Sequence, residues 1–227
     1  MKRLMEGVTR FREDIYPEHE ENLRTLGREG QNPKTLMISC SDSRVVPELI
    51  TQSLPGDLFV IRNAGNIVPP WQAINGGVTS TIEYAVVGLG VTDIVICGHA
   101  DCGAMKAHFA PAGALDAMPS VKAWIGHSTA ARDIVHACCE GVGEQDKLDR
   151  LVEENVILQL VHLRSHPSVA AALASGKLRL HGWVFDIESG SIRALDGSTG
   201  RFAALGEGGD PPVADARSEP AAQKEAA

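Results

Sequence analysis

The sequence predicts an α/β fold: a mostly parallel β-sheet flanked by helices, with an N-terminal helical arm and a C-terminal antiparallel hairpin at an edge of the sheet. Three observations carry that expectation. Short apolar, β-branched runs recur at residues 35–39, 58–62 and 93–97, each with the length of a strand buried on both faces. Between the second and third, Ile82, Val86 and Leu89 keep helical spacing. Strand, helix, strand in that order implies a parallel pair joined by a right-handed crossover. Near the end, residues 180–187 and 191–195 flank Glu188, Ser189 and Gly190, which read as the turn of a hairpin.

The other elements follow in order. Residues 2–28 read as an amphipathic helix, because Leu4, Val8, Phe11 and Ile15 recur at steps of four, three and four. Gly27 and Gly30 are expected to end it. This helix either lies on its own domain or forms an arm on a partner subunit, and spacing alone leaves both readings open. After the run at 58–62 comes a helix over 79–89, then the run at 93–97. Helices are expected at 103–109, 120–139 and 146–163, and a last one near 168–175 closed by Gly176. From about residue 206, Gly, Pro, Ala and charge replace the large apolar residues, so a disordered tail is expected. The chain thus divides into an arm at 1–30, an α/β domain at 31–205 and a tail at 206–227.

Composition narrows the function. The chain has 227 residues, of which 44% are hydrophobic and 22% charged, an ordinary globular balance. Lys and Arg total 21 against 29 Asp and Glu, a net charge of −8, which argues against non-specific nucleic-acid binding. Mean hydropathy is −0.05 and no apolar run reaches about 18 residues, so no membrane span is expected. Met1, Lys2 and Arg3 are followed by Glu6, Arg10, Arg12 and Glu13 without an apolar stretch, so export by a signal peptide is not expected. The five cysteines are Cys40, Cys97, Cys102, Cys138 and Cys139. An odd count with an adjacent pair fits a reducing cytoplasm, with metal-binding or reactive thiols, better than a disulfide framework.

Two cysteines and one histidine stand where ligands collect. Cys40 directly follows the first run, and His99 follows the third run one glycine later. In an open parallel sheet, ligands gather outside the carboxyl ends of the strands, so the two side chains can meet. Cys102 lies three residues after His99, at the start of an expected helix, and an H-x-x-C step can aim both at one ion. Cys40, His99 and Cys102 form a set of two thiols and one imidazole, and three protein ligands leave a tetrahedral zinc one open position, as in catalytic sites. Thiolate and imidazole donors favour zinc over magnesium or calcium. Asp42, two residues after Cys40, could close the site as a fourth ligand. A bidentate guanidinium from Arg44 would hold it away and keep it ionised. The plainer alternative is a surface ion pair in a polar loop, but the loop begins at a candidate ligand. Cys97 reads as core, and Cys138 and Cys139 sit in a helical stretch with no partner spacing. His108, His127, His136, His162, His166 and His181 are scattered, and structural or solvated roles suit them.

The motifs are Cys40-Ser41-Asp42-Ser43-Arg44, the stretch from Phe59 through Arg62, Asn63 and Ala64 to Asn66, Gly98-His99-Ala100-Asp101-Cys102-Gly103, and His181-Gly182-Trp183. In that order and spacing the sequence resembles the β-class carbonic anhydrases, nearest the plant and cyanobacterial type, over nearly its whole length to about residue 200. The resemblance implies a zinc lyase, one Zn2+ per subunit on Cys40, His99 and Cys102, that interconverts CO2 and bicarbonate through hydroxide on zinc. It implies that Asp42 and Arg44 are the catalytic dyad. It implies that Gln31 binds substrate and that Gly103 offers a backbone N–H. Phe59, Ala64 and Tyr84 would line an apolar CO2 pocket, some of them from a neighbouring subunit. A homodimer or higher homo-oligomer is implied, with the N-terminal helix as an arm across the dimer, and neither nucleic acid nor membrane as partner. The acidic, Ala-rich tail is a candidate docking segment for a carboxysome partner.

One branch of the family carries an inhibitory bicarbonate site built from a Trp, an Arg and a Tyr. Here Met37 and Phe185 stand for the Trp and the Tyr, and only Arg62 remains, so inhibition through that site is not expected. Asp101 is an uncommon residue between the two ligands; it either affects the zinc or is an exposed loop residue. Two thiolates cancel the charge of the ion, which three imidazoles do not. Water should therefore be polarised less than at a site of three histidines, where its pKa is about 7, and activity should rise into mildly alkaline pH. The rival readings are a zinc hydrolase of CS2 or COS on the same fold and a non-enzymatic scaffold member. A zinc deaminase is weaker, because its H-x-E and P-C-x-x-C pattern is absent.

Overall fold

The computed structural model describes residues 1–72 and 76–205. The tail expected from 206 lies outside the described residues. Six strands form one sheet in the order β2-β1-β3-β4-β5-β6. They are β1 (Thr35–Cys40), β2 (Leu58–Asn63), β3 (Asp93–His99), β4 (Arg179–Phe185), β5 (Ile192–Asp196) and β6 (Arg201–Ala204). β2, β1, β3 and β4 are mutually parallel, while β5 and β6 add on antiparallel. The three apolar runs and the hairpin are therefore present where the sequence puts them. The hairpin does not end the sheet, because β6 pairs outside β5 and forms the edge. A four-residue strand with one large apolar side chain, Phe202, carries no periodic signal.

The helices are α1 (Lys2–Arg10), α2 (Tyr16–Glu29), α3 (Pro47–Thr51), α4 (Gly77–Glu83), α5 (Gly103–Lys106), α6 (Pro119–Ile125), α7 (Thr129–Cys138), α8 (Glu144–Arg164) and α9 (Pro167–Ala174). α1 and α2 are joined by a π-helical stretch, Phe11–Ile15, so the expected arm is one long rod. Gly27 lies inside α2; Gly30, at φ 86°, ends it. α2 is tied to the domain through Asn22 Nδ2, which donates to the Pro55 carbonyl at 2.9 Å. The first stripe is a different matter: Leu4 and Val8 are 68% and 69% exposed, and no residue of α1 is buried. The stripe therefore does not pack on its own domain. The helix expected over 120–139 breaks into α6 and α7 at a 3₁₀ turn, Gly126–Ser128, because a glycine opens the run.

Two of the strands carry a glycine where a larger residue would be expected, and α8 explains it. One face of the sheet presents Leu36, Ile38, Ile94, Ile96, Leu180 and Val184 to the main core, and α8 adds Leu151, Val152, Val156, Leu160 and Leu163. A Cβ on Gly98 would lie 2.8 Å from Val156 Cγ2, and one on Gly182 would lie 2.9 Å from Val156 Cγ1 and 3.1 Å from Leu160 Cδ1. Valine is stiff at χ1, so neither contact relaxes easily. The bare backbone at Gly98 and Gly182 lets α8 sit close to β3 and β4, next to His99. Gly182→Ala is expected to overpack this contact and lower stability by about 1–3 kcal/mol. A urea midpoint that falls at unchanged slope checks it; an unchanged midpoint would show that α8 can back away at no cost.

Candidate metal centre

β1 is followed by β2 on one side of it, and β3 then returns to its other side. The carboxyl ends of β1 and β3 thus lie at the point where the strand order reverses, the place where an open sheet leaves a crevice. Cys40 ends β1 and His99 ends β3. Cys102 precedes α5, with Ala100 and Asp101 forming the turn between. The ligand atoms of Cys40, His99 and Cys102 all lie within 4.8 Å of one another, and all three residues are buried. Among the described residues this is the single such cluster.

The chemistry of the donors fits a soft divalent cation. His99 Nδ1 is engaged with the Ala100 carbonyl at 2.8 Å, which assigns the proton to Nδ1 and leaves Nε2 as the lone-pair nitrogen. Nε2 is fully buried and has no hydrogen-bond partner among the described residues. A buried orphan nitrogen is costly unless something meets it, and a metal ion does. Cys102 shares its proton with Cys40 and so holds the Cys40 thiol down to about 4; burial opposes this, and the Gly65 N–H, 3.4 Å from Sγ, adds to the lowering. The same sharing pushes Cys102 up. One thiolate is therefore ready-made, and a cation replaces the proton that the two sulfurs hold between them. Thiolate, thiol and imidazole nitrogen in a buried triangle suit zinc.

Asp42 and Arg44 sit beside this triangle. Arg44 Nη2 donates to Asp42 Oδ2 at 2.8 Å and Nε to Oδ1 at 3.0 Å, a bidentate pair, and the Arg44 backbone N–H also reaches Oδ1 at 3.0 Å. These bonds, the Arg44 side chain first, hold the Asp42 carboxyl well below the usual carboxylate range against a small burial effect. Oδ2 also lies 3.9 Å from His99 Nε2, so the ionised oxygen stands beside the triangle, outside the cluster formed by Cys40, His99 and Cys102. Asp101, at φ 60°, is more than an exposed loop residue: it accepts from Arg44 Nη1 at 3.1 Å and pairs with Lys106. Arg44 is thereby held from both sides.

The remaining expected residues spread out. Ala64 is exposed; its carbonyl accepts from Trp124 Nε1 at 2.9 Å, and the next residue, Gly65, meets the Cys40 sulfur. Gly103 opens α5 next to Cys102. Gln31 is exposed between α2 and β1. Phe59 and Tyr84 form a tilted ring pair at 5.9 Å. Phe59 is four residues before the end of β2, about 13 Å along the strand from the level of Cys40, so this pair does not border its own triangle. Arg62 does: it donates to the Cys40 carbonyl at 3.0 Å and the Asp42 carbonyl at 2.7 Å, bracing the loop between them. Met37, 1% exposed, is core, and Phe185 is buried.

The sequence reading missed the latch behind the site. Asn155 Nδ2 donates to the Gly65 carbonyl at 3.0 Å, and Gln159 Oε1 accepts from Val68 N at 2.8 Å. Asn63 brackets the same turn through Ile67 N and O. Buried polar residues four apart on the apolar face of α8 were the available signal. Of the histidines, His162 and His166 contact the Val68 and Pro69 carbonyls and His181 contacts Asp93, as structural roles require.

Comparison with known proteins agrees with this geometry. Residues 35–192 match a family model described as carbonic anhydrase. A carbonic anhydrase of Pseudomonas aeruginosa is 54% identical over 207 residues, covering 91% of this chain and 93% of the relative. The solved structure of the beta-carbonic anhydrase CcaA superposes with a TM-score of 0.87 at 43% identity, covering 91% of this chain and 92% of that one. A structure reported with two tetrameric beta-carbonic anhydrases of Sordaria macrospora gives 0.72 at 29% identity, covering 90% of this chain and all of that one.

Proposed function

The chain belongs to the β-class carbonic anhydrases, and from that premise we propose that it catalyses CO2 + H2O ⇌ HCO3⁻ + H⁺ with one zinc per subunit on Cys40, His99 and Cys102. The observation that carries the reading is the triangle of two sulfurs and one orphan nitrogen faced by an ionised carboxylate that Arg44 restrains. Zinc, when bound, supplies a Lewis acid that makes water nucleophilic near neutral pH. The protein's residues do the rest. Asp42, being ionised, can only accept hydrogen bonds, so its Oδ2 favours a reactant that carries a proton and disfavours bare anions. Arg44 keeps Asp42 charged and turned toward the metal position. Gln31 donates its amide N–H to a bicarbonate oxygen, and the Gly103 N–H is a second donor. Ala64 borders its own site, and Phe59 with Tyr84 supplies the apolar wall for CO2 in a neighbouring subunit.

That assignment needs a homodimer or larger homo-oligomer, and the exposed stripe of Leu4, Val8, Phe11 and Ile15 gives the arm a surface to place on a partner. The arm at 1–30 and the zinc-binding catalytic domain at 31–205 are then functional units. A cytoplasmic location suits the free thiols. No described helix is long and apolar enough to cross a membrane. The tail stays a candidate docking segment for a carboxysome partner. Hydrolysis of CS2 or COS is not favoured, and a scaffold role would leave intact ligands and dyad without a reason.

Stopped-flow CO2 hydration on zinc-loaded protein tests the reading. Activity is expected to rise from about pH 6.5 to about 9, because two thiolates weaken the polarisation of water. Cooperative inhibition by bicarbonate is not expected, since Arg62 is committed to two carbonyls. No hydration above a zinc-free blank would remove the assignment, and a flat profile would remove the thiolate argument.

A further inference from the structure

Two thiols lie outside the metal centre and close together. Cys138 ends α7 and is exposed; Cys139 follows it and is half-buried against the main core. Their sulfurs are 3.2 Å apart. The corner is fixed by backbone bonds: Cys139 N donates to the Val135 carbonyl at 3.0 Å, and Val142 N to the Cys139 carbonyl at 3.3 Å. We propose that Cys138 and Cys139 form a second ligand site that chelates a trivalent metalloid of the arsonous-acid class, R–As(OH)2, through both sulfurs.

The sulfur separation selects among the things a thiol pair can do. A disulfide needs Cα atoms about 4.4–6.8 Å apart, and adjacent residues across a trans peptide are held at about 3.8 Å. Closing the S–S bond would therefore distort the end of α7. A tetrahedral zinc, with sulfurs at about 2.3 Å and angles near 109°, needs them about 3.8 Å apart. At that same bond length of about 2.3 Å, sulfurs 3.2 Å apart subtend about 90°. A pyramidal trivalent centre with a lone pair takes such an angle. The Cys139 thiol is held above its ordinary range by its hydrogen bond with Cys138 and, less, by burial, so it keeps its proton at rest. Chelation then balances without electron transfer: two As–S bonds form, two As–O bonds break, and the two thiol protons leave with the two hydroxyl groups as water. The other cysteines compete poorly. Cys97 is fully buried with its thiol pushed up to about 12, and Cys40 and Cys102 are buried and committed to the metal centre.

The test uses the full-length, zinc-loaded chain and phenylarsine oxide, read by native mass spectrometry. One phenylarsenic per chain is expected, with zinc retained. Cys138→Ser and Cys139→Ser should each weaken capture by at least about 100-fold, since one sulfur loses the chelate advantage. Cys138 is exposed, so its serine variant keeps the test sound even where Cys139→Ser disturbs packing. Equal capture by the double serine variant, zinc released in step with arsenic, or no capture by the unaltered chain would each overturn the proposal. A second zinc ion taken up from excess metal and lost in the double variant would overturn the bite-angle argument.

Discussion

Asp42→Asn is expected to keep the zinc and to lower CO2 hydration by about 100-fold, the range for a group that orients reactants beside a metal without binding it. The geometry says why the two effects separate. Cys40, His99 and Cys102 make no use of the Asp42 side chain, so the triangle survives. Oδ1 of an asparagine can still accept from the Arg44 N–H and Nε, both 3.0 Å away in the native pair, so the turn survives as well. What changes is the atom 2.8 Å from Arg44 Nη2 and 3.9 Å from His99 Nε2. An acceptor with full negative charge becomes an NH2 donor. It now opposes the Arg44 donor, and it offers a proton to the reactant instead of accepting one. Arg44 keeps Asp101 as a partner at 3.1 Å and is expected to lean that way. Metal analysis and stopped-flow rates on the same sample check this. Full activity would remove Asp42 from the mechanism, and lost zinc would make it a ligand.

The parts of this site legible in the sequence are those that depend on local pattern. An apolar run predicts a strand, a strand end in a parallel sheet predicts a crevice, and Cys40 and His99 stand at such ends. The H-x-x-C step to Cys102 is local too. Asp42 and Arg44 were legible because their pairing spans two residues. The latch is not local: Asn155 meets the Gly65 carbonyl from 90 positions away, and Arg62 acts on carbonyls, which leave no mark in a sequence. Short elements such as α3 and β6 escape because the five residues of α3 span less than two helical turns and the four of β6 give no more than two strand repeats. Gly98 and Gly182 carry no sequence signal of their own, yet they are the places where α8 comes close. The position of Phe59 and Tyr84 could be resolved only with the strand register, which sets them far from their own metal centre.

Cys40→Ser is expected to have the larger effect, with zinc content at background and hydration no faster than in a zinc-free blank. Serine is nearly isosteric, so the end of β1 keeps its shape, and the Gly65 N–H can still donate to an oxygen in place of the sulfur. The hydroxyl, however, does not ionise near neutral pH and is a hard donor. It cannot replace the thiolate that the Cys40 site holds ready with a pKa of about 4. Two donors remain, too few for a closed hold on the ion. The fold should persist, because Leu36 and Ile38 of β1 stay in the main core, and far-UV circular dichroism should be unchanged. Thermal stability should fall all the same. Zinc that binds the folded chain alone adds about 2.7 kcal/mol at a hundredfold excess over its Kd, and the variant forgoes this. Added zinc should therefore raise the Tm of the native chain and leave that of Cys40→Ser unmoved. Cys102→Ser run in parallel should behave alike, which guards against a defect peculiar to position 40. Full zinc occupancy in both variants would mean that the ion sits elsewhere and that the buried triangle is packing.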